Sequence, residues 1–221
     1  MIIHLVTDRR RVAGADDRTA GQCRGVVELV ERAIEAGVDA VQVRERDLEG
    51  GALTALTAEL VARAAGSRTR IIVNDRLDVA LAAGAHGVHL RAESIPAAAA
   101  RAMAPAGFLI GRSVHSAAEA ERVGSGVDYL IAGTVWTSPS KGFGTTLLGV
   151  DGLRAVTQAT QVPALAIGGV TLDRVPELAR AGARGFAAIG LFASSAARVS
   201  SGALAALIGE ARRLYERAYS A

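Results

Sequence analysis

The sequence predicts an eightfold βα barrel, and three observations carry that prediction. Short apolar runs alternate with Ala-rich helical stretches from one end of the 221 residues to the other. Such alternation calls for parallel strands joined by right-handed crossovers. Eight units can be counted, which favours a closed barrel over an open doubly wound sheet. The last two apolar runs both stop on glycine: Val162–Ile167 runs into Gly168-Gly169, and Gly185–Ile189 runs into Gly190. In an eightfold barrel the turns after strands seven and eight are the usual phosphate cradle. Bare backbone N–H groups there bind an anion without a cationic side chain. The amides of Gly168, Gly169, Ile189 and Gly190 are therefore the candidate phosphate site.

The elements follow in order. A strand over Ile2–Thr7 leads to a helix near Gly25–Ala36, and Gly37 suits the left-handed position that ends it. Strand Ala40–Arg44 precedes helix Ala52–Ala65, and strand Ile71–Asn74 precedes helix Leu77–Ala83, which Gly84 ends in the same way. Strand Gly87–Leu90 is followed by helix Pro96–Met103, started by Ser94 with Pro96 close behind. Strand Leu109–Ser113 is followed by helix Ala117–Val123, for which Ser116 and Glu119 form a capping box. Strand Tyr129–Gly133 leads to helix Val150–Ala159. Strand Ala164–Gly168 leads to helix Leu172–Ala181, with Thr171 as cap and Gly182 as stop. Strand Phe186–Gly190 and helix Ala203–Arg217 complete a single expected domain, residues 1–221.

Composition narrows the function classes. Half of the residues are hydrophobic and 4% are aromatic, as suits a parallel-sheet core of Ala, Val, Leu and Ile. The net charge is +3 and the pI about 9.6, but the charges are interspersed, which argues against a nucleic-acid face and suits a small anionic ligand. Cys23 is the only cysteine, so no intrachain disulfide forms. Met1–Thr7 is too short for a signal-peptide core, and Asp8-Arg9-Arg10-Arg11 follows directly. The long uncharged run Ala155–Leu172 is broken by Pro163, Gly168 and Gly169, so no membrane helix is expected. The expectation is a cytoplasmic protein with a small-molecule partner and neither nucleic acid nor membrane.

In this fold the chemistry sits where strands end. Alternation along Gln42-Val43-Arg44-Glu45-Arg46 places Gln42, Arg44 and Arg46 on one side if the strand continues that far. Inward arginines at a barrel mouth need an anion, or an internal partner such as Glu45 or Asp75. Asn74 and Asp75 end strand three, where they can bind a polar ring edge or magnesium, or cap the next helix. His89 reads as a strand histidine with a satisfied hydrogen bond. Ser113 and His115 end strand five, and His115 stands beside a helix N-terminus, where a neutral imidazole can take a proton or merely cap the helix. The loop after strand six is rich in hydroxyls, with Ser138, Ser140 and Lys141 suited to phosphate oxygens.

The ordered set Gln42-x-Arg44, Asn74-Asp75-Arg76, Gly87-Val88-His89-Leu90, Gly111 through Ser116, Asp128-Tyr129, Gly133 through Lys141 and Ala166-Ile167-Gly168-Gly169-Val170, with a further Ala-Ile-Gly at Ala188, resembles the thiamin phosphate synthase/TenI superfamily. The resemblance implies a barrel that binds a phosphorylated thiazole, and a homodimer. One branch implied is the synthase, which joins a pyrimidine pyrophosphate to a thiazole phosphate with magnesium. The other is a tautomerase that aromatises a thiazole phosphate carboxylate with no metal or cofactor. The synthase pattern places Lys where this chain has Arg46, and an acidic magnesium ligand where it has Ser94, leaving Asp75 as the metal ligand if the chain is a synthase. Arg44-Glu45-Arg46, Glu93-Ser94-Ile95-Pro96 and Arg112 through Ser116 look closer to the TenI branch, and the expectation is a thiazole tautomerase. In it Gly169 and Gly190 hold the phosphate, Arg44 or Arg46 meets the ring carboxylate, and His115 relays the proton. The alternatives are the synthase and a binding protein without turnover.

Overall fold

The computed structural model describes residues 1–12, 20–123, 126–137, 146–193 and 201–220. Eight parallel strands close into a barrel in chain order: β1 (Ile2–Val6), β2 (Ala40–Val43), β3 (Arg70–Asn74), β4 (Gly87–Leu90), β5 (Leu109–Val114), β6 (Tyr129–Gly133), β7 (Ala164–Ile167) and β8 (Gly185–Ala188), with β8 pairing back onto β1. The helices are α1 (Arg9–Val12), α2 (Ala20–Glu35), α3 (Gly50–Ala64), α4 (Leu77–Ala82), α5 (Ala97–Met103), α6 (Ala117–Arg122), α7 (Gly149–Gln158), α8 (Val175–Arg180), α9 (Gly190–Ala193) and α10 (Ser201–Tyr219). The predicted fold class is thus the observed one.

Strand parity separates two apolar regions. Ile3, Leu5, Val41, Val43, Ile71, Val73, Val88 and Leu90 face outward and are buried beneath the helices in one continuous core. Val6, Tyr129, Ile131, Leu165 and Ala187 form a smaller cluster inside the barrel. Strands buried on both faces explain why the sequence reads as unbroken apolar runs rather than as alternation.

The barrel interior is also polar at one level. Tyr129 stands between His4, whose ring is 5.0 Å away edge-on, and His89, stacked at 5.6 Å. Gly111 makes this possible, because a Cβ there would fall 2.1 Å from Tyr129 Cζ. Burial lowers the His4 pKa to about 4 and that of His89 to about 3, and it pushes the Tyr129 hydroxyl up. His89 Nε2 meets Ser113 Oγ at 2.9 Å, the satisfied bond expected of it, while its Nδ1 has no partner among the described residues.

Local chemistry explains most boundaries. Gly37, Gly84 and Gly182 adopt φ of +79°, +64° and +81°, the left-handed stop predicted for them. Ser116 Oγ accepts from Glu119 N, and the Glu119 carboxylate reaches back to the N–H of His115 at 2.7 Å, one residue beyond the cap. At the opposite end of the barrel, Arg212 of α10 donates to the carbonyls of Met1 and Gly37 and to Asp39, which itself accepts from Ile3 N.

Four boundary expectations are corrected. Strand β2 stops at Val43, so Arg44 and Arg46 lie beyond it and alternation does not extend to Arg46. The predicted helix Leu172–Ala181 is a 3₁₀ turn, Leu172–Arg174, followed by α8, and Thr171 makes no side-chain cap bond to it. Pro176 sits in the first turn of α8, where its missing N–H costs nothing. Ser94 does not start α5, whose N-cap is Pro96, because its hydroxyl is engaged elsewhere. The final strand ends at Ala188, and Gly190 opens the one-turn helix α9.

Candidate functional site

The C-terminal rim gathers most of the singled-out residues. After β7, Gly168 and Gly169 take φ of +99° and +63°. A Cβ on Gly168 would fall 2.4 Å from Thr134 Cγ2, and one on Gly169 would fall 2.5 Å from the Thr137 carbonyl oxygen, so neither tolerates a side chain. Both are half-buried, as is Ile189, and Gly190 is exposed. Among the described residues no backbone carbonyl accepts from the N–H groups of Gly168, Gly169 or Gly190. These turns therefore present amides to solvent beside adjacent strands, as a phosphate requires.

Two cations flank this corner that sequence reasoning did not single out. Arg174 donates to the Gly169 carbonyl at 2.6 Å and lies over the Trp136 ring, 5.1 Å from its centroid. Arg11 NH1 comes within 3.5 Å of the position a Cβ on Gly190 would take. Trp136 thus stacks on Arg174, pinning the start of its loop. Ser138, Ser140 and Lys141 lie outside the described residues.

On the other side of the rim stand the ends of β2 to β4. Gln42 is buried one layer below the mouth, and its Nε2 lacks an acceptor among the described residues. Arg44 is half-buried, and its guanidinium has no acceptor among them. Glu45 is not its partner. That carboxylate is buried, accepts from Thr7 Oγ1 at 2.6 Å and from the N–H of Arg9 at 3.0 Å, and has its pKa raised by burial. Burial, with the nearby charges of Arg46 and Arg91, lowers the Arg44 pKa, while Asp8 and Glu45 act in the opposite direction. Arg46 itself is exposed.

Asp75 holds the centre of this half. Its backbone has φ +66°, a left-handed conformation that Asp tolerates better than most residues. One carboxylate oxygen accepts from Arg91 Nε at 2.9 Å and the other from Ser94 Oγ. Ser94 Oγ also accepts the N–H of Arg91 at 2.8 Å, closing the loop on itself. Neither Asn74 nor Asp75 caps α4, whose N-cap is Arg76. Arg91 is the residue sequence reasoning passed over, and the available signal was an arginine ahead of the serine in a stretch already noted as departing from the synthase pattern.

The magnesium ion that the resemblance implies for a synthase does not fit these residues. A divalent cation needs several free oxygen ligands, and Asp75 has both of its oxygens committed to donors. Glu93, the other nearby carboxylate, is turned outward onto Arg91 at 3.3 Å. Among the described residues no group of three or more His, Cys, Asp or Glu side chains is placed to hold a metal.

His115 is exposed beside the start of α6, and its Nδ1 lies 2.5 Å from the Gly133 carbonyl oxygen. A carbonyl only accepts, so Nδ1 carries the proton in this contact. In the neutral ring that leaves Nε2 with a lone pair free to accept one. Ser113, held by His89, lies two residues earlier, within β5.

An eight-stranded parallel barrel with glycine turns after β7 and β8 and arginines at its mouth defines the class, a (βα)₈ barrel protein. Residues 5–192 match the family model described as thiamine monophosphate synthase, and the chain belongs to that TMP-TenI family. The thiamine-phosphate synthase of Methanoregula boonei is 40% identical over 174 residues, 78% of this chain and 81% of that one. The enzyme of the same name from Methanoculleus marisnigri is 38% identical over 174 residues, 78% and 82% of the two chains. Thiamine phosphate pyrophosphorylase from Pyrococcus furiosus superposes with a TM-score of 0.77 at 30% identity, covering 98% of this chain and 96% of that one. These relatives carry the name of the synthase, so the expected leaning toward the TenI branch finds no support among them. No helix among the described residues is long and apolar enough to cross a membrane.

Proposed function

We propose that this chain is a thiamin phosphate synthase, coupling hydroxymethylpyrimidine pyrophosphate to thiazole phosphate. The observation that carries the reading is the division of one rim into two halves of differing chemistry, glycine turns on one side and arginines on the other. Glycine amides after β7 and β8 suit the thiazole phosphate, and Arg44 with its neighbouring arginines suits a pyrophosphate. Coupling displaces pyrophosphate, so negative charge builds on the departing group as its bond breaks. Preorganised guanidinium groups stabilise that charge more in the transition state than in the ground state. Asn74 at the end of β3, Gln42 in β2 and Ser113 in β5 are the side chains that would orient the rings. The names of the relatives support the same reading.

One specific observation favours a second reading, the thiazole tautomerase: Asp75 is committed to Arg91 and Ser94, and that reaction needs no metal. There His115, with Nδ1 fixed on Gly133, would move the proton through Nε2, and Arg44 or Arg46 would meet the carboxylate.

One experiment separates them. Purified protein is incubated with the two synthase substrates, with and without magnesium, and separately with the non-aromatic thiazole phosphate carboxylate, and products are resolved by chromatography. Thiamin phosphate formation establishes the first reading. Aromatisation without coupling establishes the second. Binding of thiazole phosphate with no turnover of either overturns both.

A further inference from the structure

The polar lining of the barrel mouth has one arrangement whose own role neither reading assigns. Arg91, Asp75 and Ser94 form a closed set in which every member bonds the other two: guanidinium to carboxylate at 2.9 Å, hydroxyl to carboxylate, and backbone N–H to hydroxyl at 2.8 Å. The loop after β4 that carries Arg91 and Ser94 is pinned from outside, because Arg112 of β5 donates to the carbonyls of Ala92 at 2.6 Å and Ile95 at 3.0 Å. Arg91 is thereby held in place before any ligand arrives.

We propose that Arg91 is the resident cation of this mouth. Its guanidinium, anchored on Asp75, stands where the family resemblance implies a divalent metal, and with Arg44 it forms a metal-independent receptor for the second anionic group of the bound small molecule. This rests on the reading of the rim as the substrate site. It names what binds the anion opposite the glycine cradle, a pyrophosphate under the first reading and a carboxylate under the second.

Charge and donor supply both support it. A guanidinium carries five N–H donors, and Asp75 takes only the one on Nε. Arg91 NH1 faces the exposed Glu93 at 3.3 Å, a contact that solvent weakens. Arg44 is partly desolvated yet has no acceptor among the described residues, and Arg46 and Arg91 repel it. Asp8 and Glu45 offset part of that repulsion from a distance, and a bound anion that accepts from Arg44 directly would relieve the rest. Arg also suits the geometry, since its planar fork meets two oxygens of a phosphoryl or carboxylate group at once.

The test uses inorganic pyrophosphate as the probe, in buffer containing EDTA, with binding measured by isothermal titration calorimetry. Wild-type protein is expected to bind it. Arg91→Gln and Arg44→Gln should each weaken it roughly tenfold or more, the usual effect of losing a charge-assisted contact, and Arg91→Lys should recover part of the loss. Mn²⁺ binding, read by electron paramagnetic resonance, should be absent from wild type. It should appear in the Arg91→Gly/Ser94→Asp double variant and vanish again when Asp75→Asn is added. Thermal melts of each variant confirm folding. The proposal is overturned if wild type binds no pyrophosphate without metal, if Arg91→Gln binds it as well as wild type, if wild type binds Mn²⁺ through Asp75, or if the folded double variant binds none. Loss of the coupling reading leaves these results untouched, since they are measured without turnover. Failure here with coupling intact would remove Arg91 and keep the synthase.

Discussion

The buried histidine pair makes stability fall as pH drops below neutrality, against a smaller opposing contribution from the buried Glu45 carboxyl, whose pKa burial raises. His4 and His89 are held neutral inside the barrel, with pKa values lowered by burial from 6.5 to about 4 and about 3. The unfolded chain has ordinary imidazoles and binds protons first, so the stability these groups contribute is fully present above pH 6.5 and is lost as pH falls toward 4 and 3. At pH 5.5 an unfolded imidazole is about 90% protonated while the buried rings are still neutral, which costs about 1.4 kcal/mol for each and about 3 kcal/mol for the pair. His86, whose pKa burial also lowers, adds in the same direction. Asp47, held at about 2 by Arg9, gives up its contribution only as pH falls through the range from 3.8 to 2, well below this window. Urea unfolding at pH 7.5, 6.5 and 5.5, extrapolated to water, is the assay. His89→Gln keeps a polar side chain for Ser113 and should remove close to half of the pH-dependent loss. Equal stability at pH 7.5 and 5.5, or an unchanged slope in His89→Gln, would refute the assignment of buried neutral imidazoles.

Three further outcomes are expected. Gly185→Ala places a Cβ 1.8 Å from the Ile2 carbonyl oxygen at φ +156°, on the seam where β8 closes onto β1, and should cost about 3 kcal/mol or more, seen as a lowered Tm or insoluble protein. Ser116→Ala removes the acceptor of Glu119 N and should cost about 1 kcal/mol in urea unfolding, with m unchanged. His115→Gln should lower aromatisation roughly 10²–10⁴-fold if that is the reaction, with the fold intact because the residue is exposed, and unchanged turnover would take His115 out of the mechanism.

Family membership sharpens what the rim departures mean. Relatives at 38–40% identity are named synthases, yet the position implied for a second metal ligand is Ser94, and Arg91 closes over the carboxylate that remains. Under either proposed reaction, the guanidinium groups of Arg44 and Arg91 are the candidates to meet an anion opposite the glycine turns.

How far the chain could be read in advance follows from the range of each interaction. The barrel was legible because its signals are local: eight apolar runs, glycine stops at Gly37, Gly84 and Gly182, and the Ser116-Glu119 cap all act within a few residues of themselves. The glycine turn after β7 was legible for the same reason, since a run that ends on Gly168-Gly169 declares its own bare backbone. Partners across the barrel were not. Nothing near Glu45 in the chain says that Thr7 and the N–H of Arg9, 38 and 36 residues away, will take it rather than its neighbours Arg44 and Arg46. Nothing near Asp75 says that Arg91, 16 residues on, will claim it from a metal or a helix cap. Those choices belong to strand register and loop closure, which bring side chains from separate βα units to one rim, and only the tertiary structure decides which donor reaches which carboxylate first.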